Sequence, residues 1–387
     1  MWDIAVVGAG PAGTAAALGA LSADPGASVL LLDRADFPRD KSCGDGIAPH
    51  VLDALADVGV TGLLDDWTPV HRLHLADGAR EVDRRMRRPA YVVPREVFDA
   101  RLVTEATAAG ARLRRLRVRS VSRQQASVEV ADGVEAQVVI GADGAHSLVR
   151  RAAGLAPAEE PAIAIRGYAP VPAERREQQV IIFGEQRQPS YAWSFDRGDG
   201  LANVGYGELL RPHRPRPSRR AMLDQLETLL PGSTREGTAW RGHHLPLSSW
   251  RWQQPDGRIL LAGDAANLVN PVTGEGIFYA VTTGILAGRT AVEAIRAGDP
   301  TGAGERHRRR VRALLARHLR HTAVASRLVE NPAVLRAGLR AAQRDQRVFD
   351  DLVEMGLAHG RISPRLLRQI ALGVPALAAS HARRTAG

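Results

Sequence analysis

The hydrophobic positions of this chain follow two patterns. In the first, short unbroken apolar runs meet glycine. Residues 4–7 lead into Gly8-Ala9-Gly10-Pro11-Ala12-Gly13 and an alanine-rich stretch, and a second run, "SVLLLDR", ends at Asp33. Runs of this length bounded by turn residues predict strands buried on both faces, the habit of a parallel sheet covered by helices. The pattern recurs twice. Residues 138–140 enter Gly141-Ala142-Asp143-Gly144 ahead of a helix from near Ser147. Residues 259–261 enter Gly263-Asp264, a loop with Pro271, and a helix opened by Gly274-Glu275-Gly276-Ile277. In the second pattern strand-like runs are separated by glycine-rich or polar turns. "AIAIRGYAP", "QQVIIFGE" and "SYAWSFDRGDGLANVGYGE" predict antiparallel strands. "RPHRPRPSRR", residues 211–220, reads as an exposed loop before the helix "AMLDQLETLL", and the last 87 residues read as helical. The predicted class is α/β: a doubly wound dinucleotide-binding domain from residues 1–70, 95–155 and 255–300, a mainly antiparallel β substrate domain from 71–94 and 156–254, and a helical C-terminal region, 301–387.

The first glycine turn carries chemistry because of its setting. A strand precedes it, a helix follows, and Asp33 stands twenty residues past Gly13. Gly8 permits the tight turn, Gly10 lets the backbone approach a pyrophosphate, and Gly13 lets the helix pack close to its strand. The helix N-terminus, at Pro11 and Ala12, offers free N–H groups and a partial positive charge to phosphates. Asp33 is placed to accept from ribose hydroxyls. Arg34 follows at once and suits a ribose 2′-phosphate, so this turn alone does not separate FAD from NADP.

In their order and separation, the three glycine corners resemble the fingerprints of FAD-dependent enzymes with the p-hydroxybenzoate hydroxylase fold. The resemblance implies a Rossmann-type FAD-binding domain, with Asp143 and Gly144 beside the dinucleotide and Gly263-Asp264 holding the ribityl chain. It also implies that the helix after "PVTGEGI", Pro271 to Ile277, aims its N-terminus at the pyrimidine end of the isoalloxazine. Reducing a flavin places negative charge near N1 and O2, and a helix N-terminus stabilises such a charge by up to about 2 kcal/mol in partly buried geometry. Gly274 and Gly276 keep side chains clear of that approach, with Glu275 between them. Arg95 opens the helix of "YVVPREVFDARLVTEATAAGARL". On its residues alone it is either half of a surface ion pair or, as in resembling enzymes, a cofactor contact.

The loop "PRDKSCGDGI" holds the chain's single lysine and its single cysteine; the other 51 of 52 basic residues are arginine. Pro38, Lys41, Cys43, Gly44 and Gly46 match Pro-x-x-Lys-x-Cys-Gly-x-Gly, which resembles the geranylgeranyl reductase branch, whereas flavin halogenases usually carry Gly-Glu-Ser here. A second marker of that branch, Tyr-x-Trp-x-Phe-Pro, appears as Tyr191, Trp193 and Phe195 followed by Asp196 in place of proline. Alternation puts these three rings on one strand face, among only six Trp, five Tyr and six Phe in all. That face is either ordinary sheet packing or the roof of a pocket gripping an apolar substrate. The implied catalytic set is Lys41, Cys43, Tyr191 and Trp193. Cys43 and Gly44 would lie beside the flavin and shape which substrate carbon meets N5. Lys41 would act through a compact, titratable ammonium that a guanidinium does not replace. No Cys–His–acid spacing supports a nucleophile, and no metal site is expected.

Charge adds a further feature. The net charge of +10 lies entirely in residues 301–387, which hold 17 Arg against 6 acidic residues. The excess is either a solvated helix face or a docking surface for an acidic carrier protein or an anionic membrane. Nucleic acid is not expected, since no aromatic interleaving accompanies it. One cysteine, no leader and no apolar run of about 18 to 20 residues predict a cytoplasmic protein, at most peripherally membrane-associated. The expected activity is FAD-dependent reduction of carbon–carbon double bonds in a hydrophobic, isoprenoid or polyketide-like substrate. NADPH or NADH would be a transient donor without its own Rossmann domain, and a ferredoxin an alternative. The rival readings are a flavin monooxygenase or halogenase of a biosynthetic pathway, and a docking module in which flavin is structural.

Overall fold

Each apolar run that meets glycine is a strand of one sheet. In this computed structural model, which describes residues 1–373 apart from 79, 132, 158–160, 187, 211–214 and 250–251, Trp2–Val7 lies between Val29–Asp33 and Val134–Gly141 and runs parallel to both. Ile4 stands opposite Val29 on one side and Val138 on the other. Arg112–Arg115 extends the sheet beyond Val29–Asp33, and Ile259–Leu261 joins Val134–Gly141 in parallel. The hairpin Val121–Arg123 and Val128–Val130 adds antiparallel strands at the other end of Val134–Gly141. Ile4, Val6, Leu31 and Val139 are wholly buried, as unbroken apolar strands must be when helices cover the sheet. The alanine-rich helix Pro11–Ala23 packs on Ile277–Arg296, with small residues on both sides of the contact. Residues 215–218 lead into the helix Arg219–Leu229, which starts inside the predicted loop because Ser218 caps it by accepting from the Ala221 N–H; residues 211–214 of that loop lie outside the described residues.

The strand-like runs give four strands, Ala162–Pro170, Leu201–Leu209, Tyr191–Asp196 and Gln178–Phe183, and four that the runs did not announce complete a second sheet of eight in the order Thr238–Leu245, Ala162–Pro170, Leu201–Leu209, Tyr191–Asp196, Gln178–Phe183, Val70–Asp77, Arg80–Val92 and Gly46–Ile47. Gln178–Phe183 pairs with Val70–Asp77 in parallel, and the other described pairings are antiparallel. The short strand Gly46–Ile47 carries the lysine–cysteine loop from the first sheet to the edge of the second, with Gly46 opposite Val92.

The C-terminal region builds core rather than hanging from it. Val311, Leu315 and Leu319 of the helix Ala303–Val329 are buried in the main core. Two capped helices follow. Asn331 accepts from the Ala333 N–H at the start of Pro332–Arg344, and Asp345 accepts from the Arg347 N–H at the start of Gln346–Leu357. Leu339, Ala342 and Phe349 from these helices pack against Leu73, Leu75, Val82 and Met86 of the second sheet. Among the described residues no helix is long and apolar enough to cross a membrane.

Candidate active site

The glycine turn, both later corners, the lysine–cysteine loop and the aromatic strand open on one cavity of about 1360 Å³. Gly8 takes φ +102°, and a Cβ there would stand 2.3 Å from the Ala142 carbonyl oxygen, so the first turn meets the second corner only because this residue has no side chain. Every site residue named from the sequence lines the cavity except two. Gly13 packs beneath, against the Gly8 carbonyl, and Gly263 packs against Ala12 and Ala280.

Two guanidiniums converge beside Gly10. Arg95 is almost fully buried and grips Asp99 through Nε to Oδ1 at 2.7 Å and Nη2 to Oδ2 at 2.9 Å, so it is not half of a surface pair. Arg39 reaches the same carboxylate at 3.2 Å and lies 3.9 Å from Asp33. Asp33 accepts from the Ala9 N–H at 2.8 Å with one oxygen and from the Ala35 N–H at 2.9 Å with the other. Arg39 and Arg95 both line the cavity at the N-terminus of Pro11–Ala23, an arrangement of N–H groups and guanidiniums that could hold an anion.

Further along, Lys41 Nζ lies 3.3 Å from Asp264 Oδ2. His243 shares this corner. Burial and the neighbouring Lys41 ammonium push its imidazole down to about 4, so it is neutral at pH 7, and its buried Nε2 has no partner among the described residues. Glu275 Oε1 accepts from the Phe278 N–H at 2.9 Å, so the helix Ile277–Arg296 is partly capped from within rather than left open to a ligand. Burial pushes this carboxyl up to about 7 despite those N–H groups and Arg95. Asp143 is engaged in its own turn: Ser147 Oγ donates to Oδ1 at 2.5 Å and the Leu148 N–H to Oδ2 at 2.7 Å.

The aromatic row is a wall of the cavity. Tyr191 and Trp193 ring centres are 6.0 Å apart, and Trp193 and Phe195 are 6.4 Å apart. Tyr191 donates to the Thr273 carbonyl and so ties the row to the loop before Glu275. Trp193 lies over Gly205 of the neighbouring strand, where a Cβ would fall 2.2 Å from its ring. Its Nε1 donates to Asn203 Oδ1 at 2.8 Å, and Asn203 Nδ2 donates in turn to the Cys43 carbonyl at 2.9 Å and to Asp45 Oδ2 at 2.8 Å. Tyr168 donates to the same Asp45 oxygen at 2.6 Å. Asp45 is fully buried in the left-handed region, φ +59°, and its Oδ1 has no partner among the described residues. Burial pushes its carboxyl up to about 6, against the pull of Tyr168 and Asn203. Burial also raises the Cys43 thiol, opposed by Arg95, so Cys43 stays a thiol at neutral pH. Beyond the row the cavity becomes apolar, between Leu73, Ile181 and Phe183 of the sheet and Leu335, Leu339 and Leu352 of the C-terminal helices.

Residues 1–301 match the family model described as FAD binding domain. The chain is 37% identical over 322 residues to digeranylgeranylglycerophospholipid reductase 1 of Methanopyrus kandleri, covering 77% of this chain and 82% of that protein. It is 35% identical over 312 residues to menaquinone reductase of Mycolicibacterium smegmatis, covering 74% and 75%. The chain belongs to the geranylgeranyl reductase family. A crystal structure of a geranylgeranyl bacteriochlorophyll reductase-like protein from Thermoplasma acidophilum shares the fold, with a TM-score of 0.78 at 22% identity over 97% of this chain and 96% of that one.

As a geranylgeranyl reductase family member, the protein is an FAD-dependent oxidoreductase. Its cavity fits that cofactor: a Cβ-free turn against a second corner, two guanidiniums at a helix N-terminus, and one continuous space lined by Asp33, Asp264 and Glu275. Sequence reasoning missed Arg39, Asp99, His243, Asn203 and Asp45. An acid between two glycines, Gly44-Asp45-Gly46, was the one local signal for Asp45. The others carry no motif and become partners only through packing.

Proposed function

We propose that this enzyme adds two hydrogens across a carbon–carbon double bond of an apolar, isoprenoid-type substrate. The substrate chain lies in the apolar end of the cavity, and its reacting bond comes to the flavin beside Cys43 and Gly44. The reading rests above all on the continuity of one cavity of about 1360 Å³, from the dinucleotide cradle to an apolar chamber walled by the C-terminal helices. The relatives' names, reductases of a digeranylgeranyl lipid and of menaquinone, support the same substrate class.

In this reading Gly8, Gly10, Pro11 and Ala12, with Arg39 and Arg95, hold the diphosphate of FAD, while Asp33 takes the adenosine ribose. Asp264, oriented by Lys41 at 3.3 Å, takes the ribityl hydroxyls. Gly274 to Ile277 line the pyrimidine edge. Bound and reduced, FAD would supply the hydride for one carbon, the other carbon taking a proton. The chain positions and dries the site: Tyr191 and Trp193 cover the reacting bond, and Asn203 pins the Cys43 backbone beneath them. The Cys43 thiol lines the cavity in protonated form at neutral pH, and Glu275 does so below about pH 7. A nicotinamide nucleotide, or alternatively a ferredoxin, serves as transient donor.

The test is anaerobic. Photoreduced enzyme mixed with polyprenyl lipids should regain oxidised-flavin absorbance and yield product two hydrogens heavier per bond reduced. Reoxidation that requires oxygen and adds an oxygen atom to the product would replace this reading with a monooxygenase.

A further inference from the structure

The apolar end of the cavity reaches the surface at two leucines, and exposed arginines neighbour both along the chain. Leu328 and Leu367 line the cavity yet are 44% and 51% exposed. On the helix Ala303–Val329 the spacing of Leu314, Arg317, Val324 and Leu328 puts them on one outward stripe, flanked by exposed Arg320 and Arg327. Exposed Arg365 and Arg368 flank Leu367, and Leu372, 64% exposed, lies one turn beyond Arg368. The tail's positive charge divides along this helix. Near its start, Arg306 pairs with Asp299, Arg308 with Asp256 and Arg310 with Glu293. Towards the opening, Arg317, Arg320 and Arg327, with Arg365 and Arg368, form no ion pair among the described residues.

Unpaired guanidiniums alternating with large exposed aliphatic side chains match the headgroup boundary of a bilayer, where the apolar groups enter the acyl region and the cations meet lipid phosphates. An acidic protein would satisfy the charge but would cover the opening through which an apolar chain enters. We infer that this face docks on an anionic lipid bilayer, so that the chamber opens directly into the membrane and receives its substrate without passage through water. Only the substrate-transfer half of this inference rests on the proposed reaction; the docking does not.

Full-length FAD-loaded protein floated with vesicles tests it. Vesicles of phosphatidylcholine containing phosphatidylglycerol should carry the protein, vesicles of phosphatidylcholine alone should not, and added salt should weaken the binding. Arg317→Glu with Arg320→Glu should lower partitioning at least about 30-fold, taking roughly 1 kcal/mol for each basic residue lost at such a surface, with repulsion of the new carboxylates adding to it. FAD content and turnover of detergent-dispersed substrate should not change. Arg219→Glu with Arg220→Glu makes the same charge change on the helix covering the opposite face of the second sheet, and should leave flotation intact. Leu328→Ser should reduce the binding that survives high salt. Equal flotation with both vesicle types, or none, overturns docking. So does salt-sensitive capture by a soluble acidic carrier protein without flotation. Turnover of dispersed substrate without flotation sinks docking alone, whereas flotation without turnover sinks the proposed reaction alone.

Discussion

Two carboxyls in the site are held protonated well above the ordinary carboxylate range, for a shared reason and with different consequences. Asp45 is pushed up to about 6 and Glu275 up to about 7, in both cases by burial first. A carboxyl whose folded value is raised binds its proton more tightly in the native state, so its contribution to stability is complete below the unfolded value and is lost as pH rises through the folded one. Asp45→Asn removes the ionisable group. Its stability in chemical denaturation should therefore improve relative to the parent as pH rises from about 4 to about 7, by up to about 3 kcal/mol, since each tenfold change in proton affinity is worth about 1.4 kcal/mol. A constant difference across that range would show that Asp45 does not titrate there. In the proposed reading Glu275 acts on the cofactor: its ionised form would put negative charge at the helix end facing the pyrimidine edge, opposing charge gained on reduction. Glu275→Gln should raise the midpoint potential above pH 7 by about 30 mV, the equivalent of a tenfold change in proton affinity divided over two electrons. Spectroelectrochemical titration against pH reads this directly. Lys41→Arg keeps the charge but replaces a compact ammonium 3.3 Å from Asp264 with a larger planar group. Several-fold weaker FAD binding, measured by titrating the apoprotein, is the expected result.

At the scale of elements, the aromatic strand shows what period-two alternation conveys and what it omits. Alternation placed Tyr191, Trp193 and Phe195 on one face, and their ring centres do form a row. It was silent on the facing strand, Leu201–Leu209, where Gly205 leaves the space that the Trp193 ring occupies. Gly205→Val should overpack this contact. We expect a stability loss of about 1 to 3 kcal/mol in chemical denaturation and a raised KM with FAD content retained. Unchanged KM would mean that the ring does not touch substrate. The helix Ile277–Arg296 makes a similar point. Its position after a glycine pair was legible as a helix N-terminus, but Glu275 capping that end from inside was not, because cap geometry depends on which rotamer the cavity admits.

At the scale of the whole molecule, the C-terminal helices convert a flavin site into a long chamber. Gly338 lines that chamber from the helix Pro332–Arg344, and a Cβ there meets nothing within 4 Å. Gly338→Phe should therefore fill the chamber without strain and hold or raise Tm, since glycine costs about 1 kcal/mol in a helix interior. Turnover of long-chain substrates should fall while short ones persist, as read from kcat/KM across chain lengths. The amino-acid sequence by itself determined the dinucleotide cradle, four strands of the mainly antiparallel second sheet and the distinctive lysine–cysteine loop, because glycine turns, apolar runs and alternation are local signals written within a few residues. Only the tertiary structure decided that Arg39 and Arg95 share Asp99, that Asn203 and Asp45 underpin Cys43, and that an arginine-rich tail walls an apolar chamber. Those relations join residues up to hundreds of positions apart, and packing, rather than any local preference, brings them into contact.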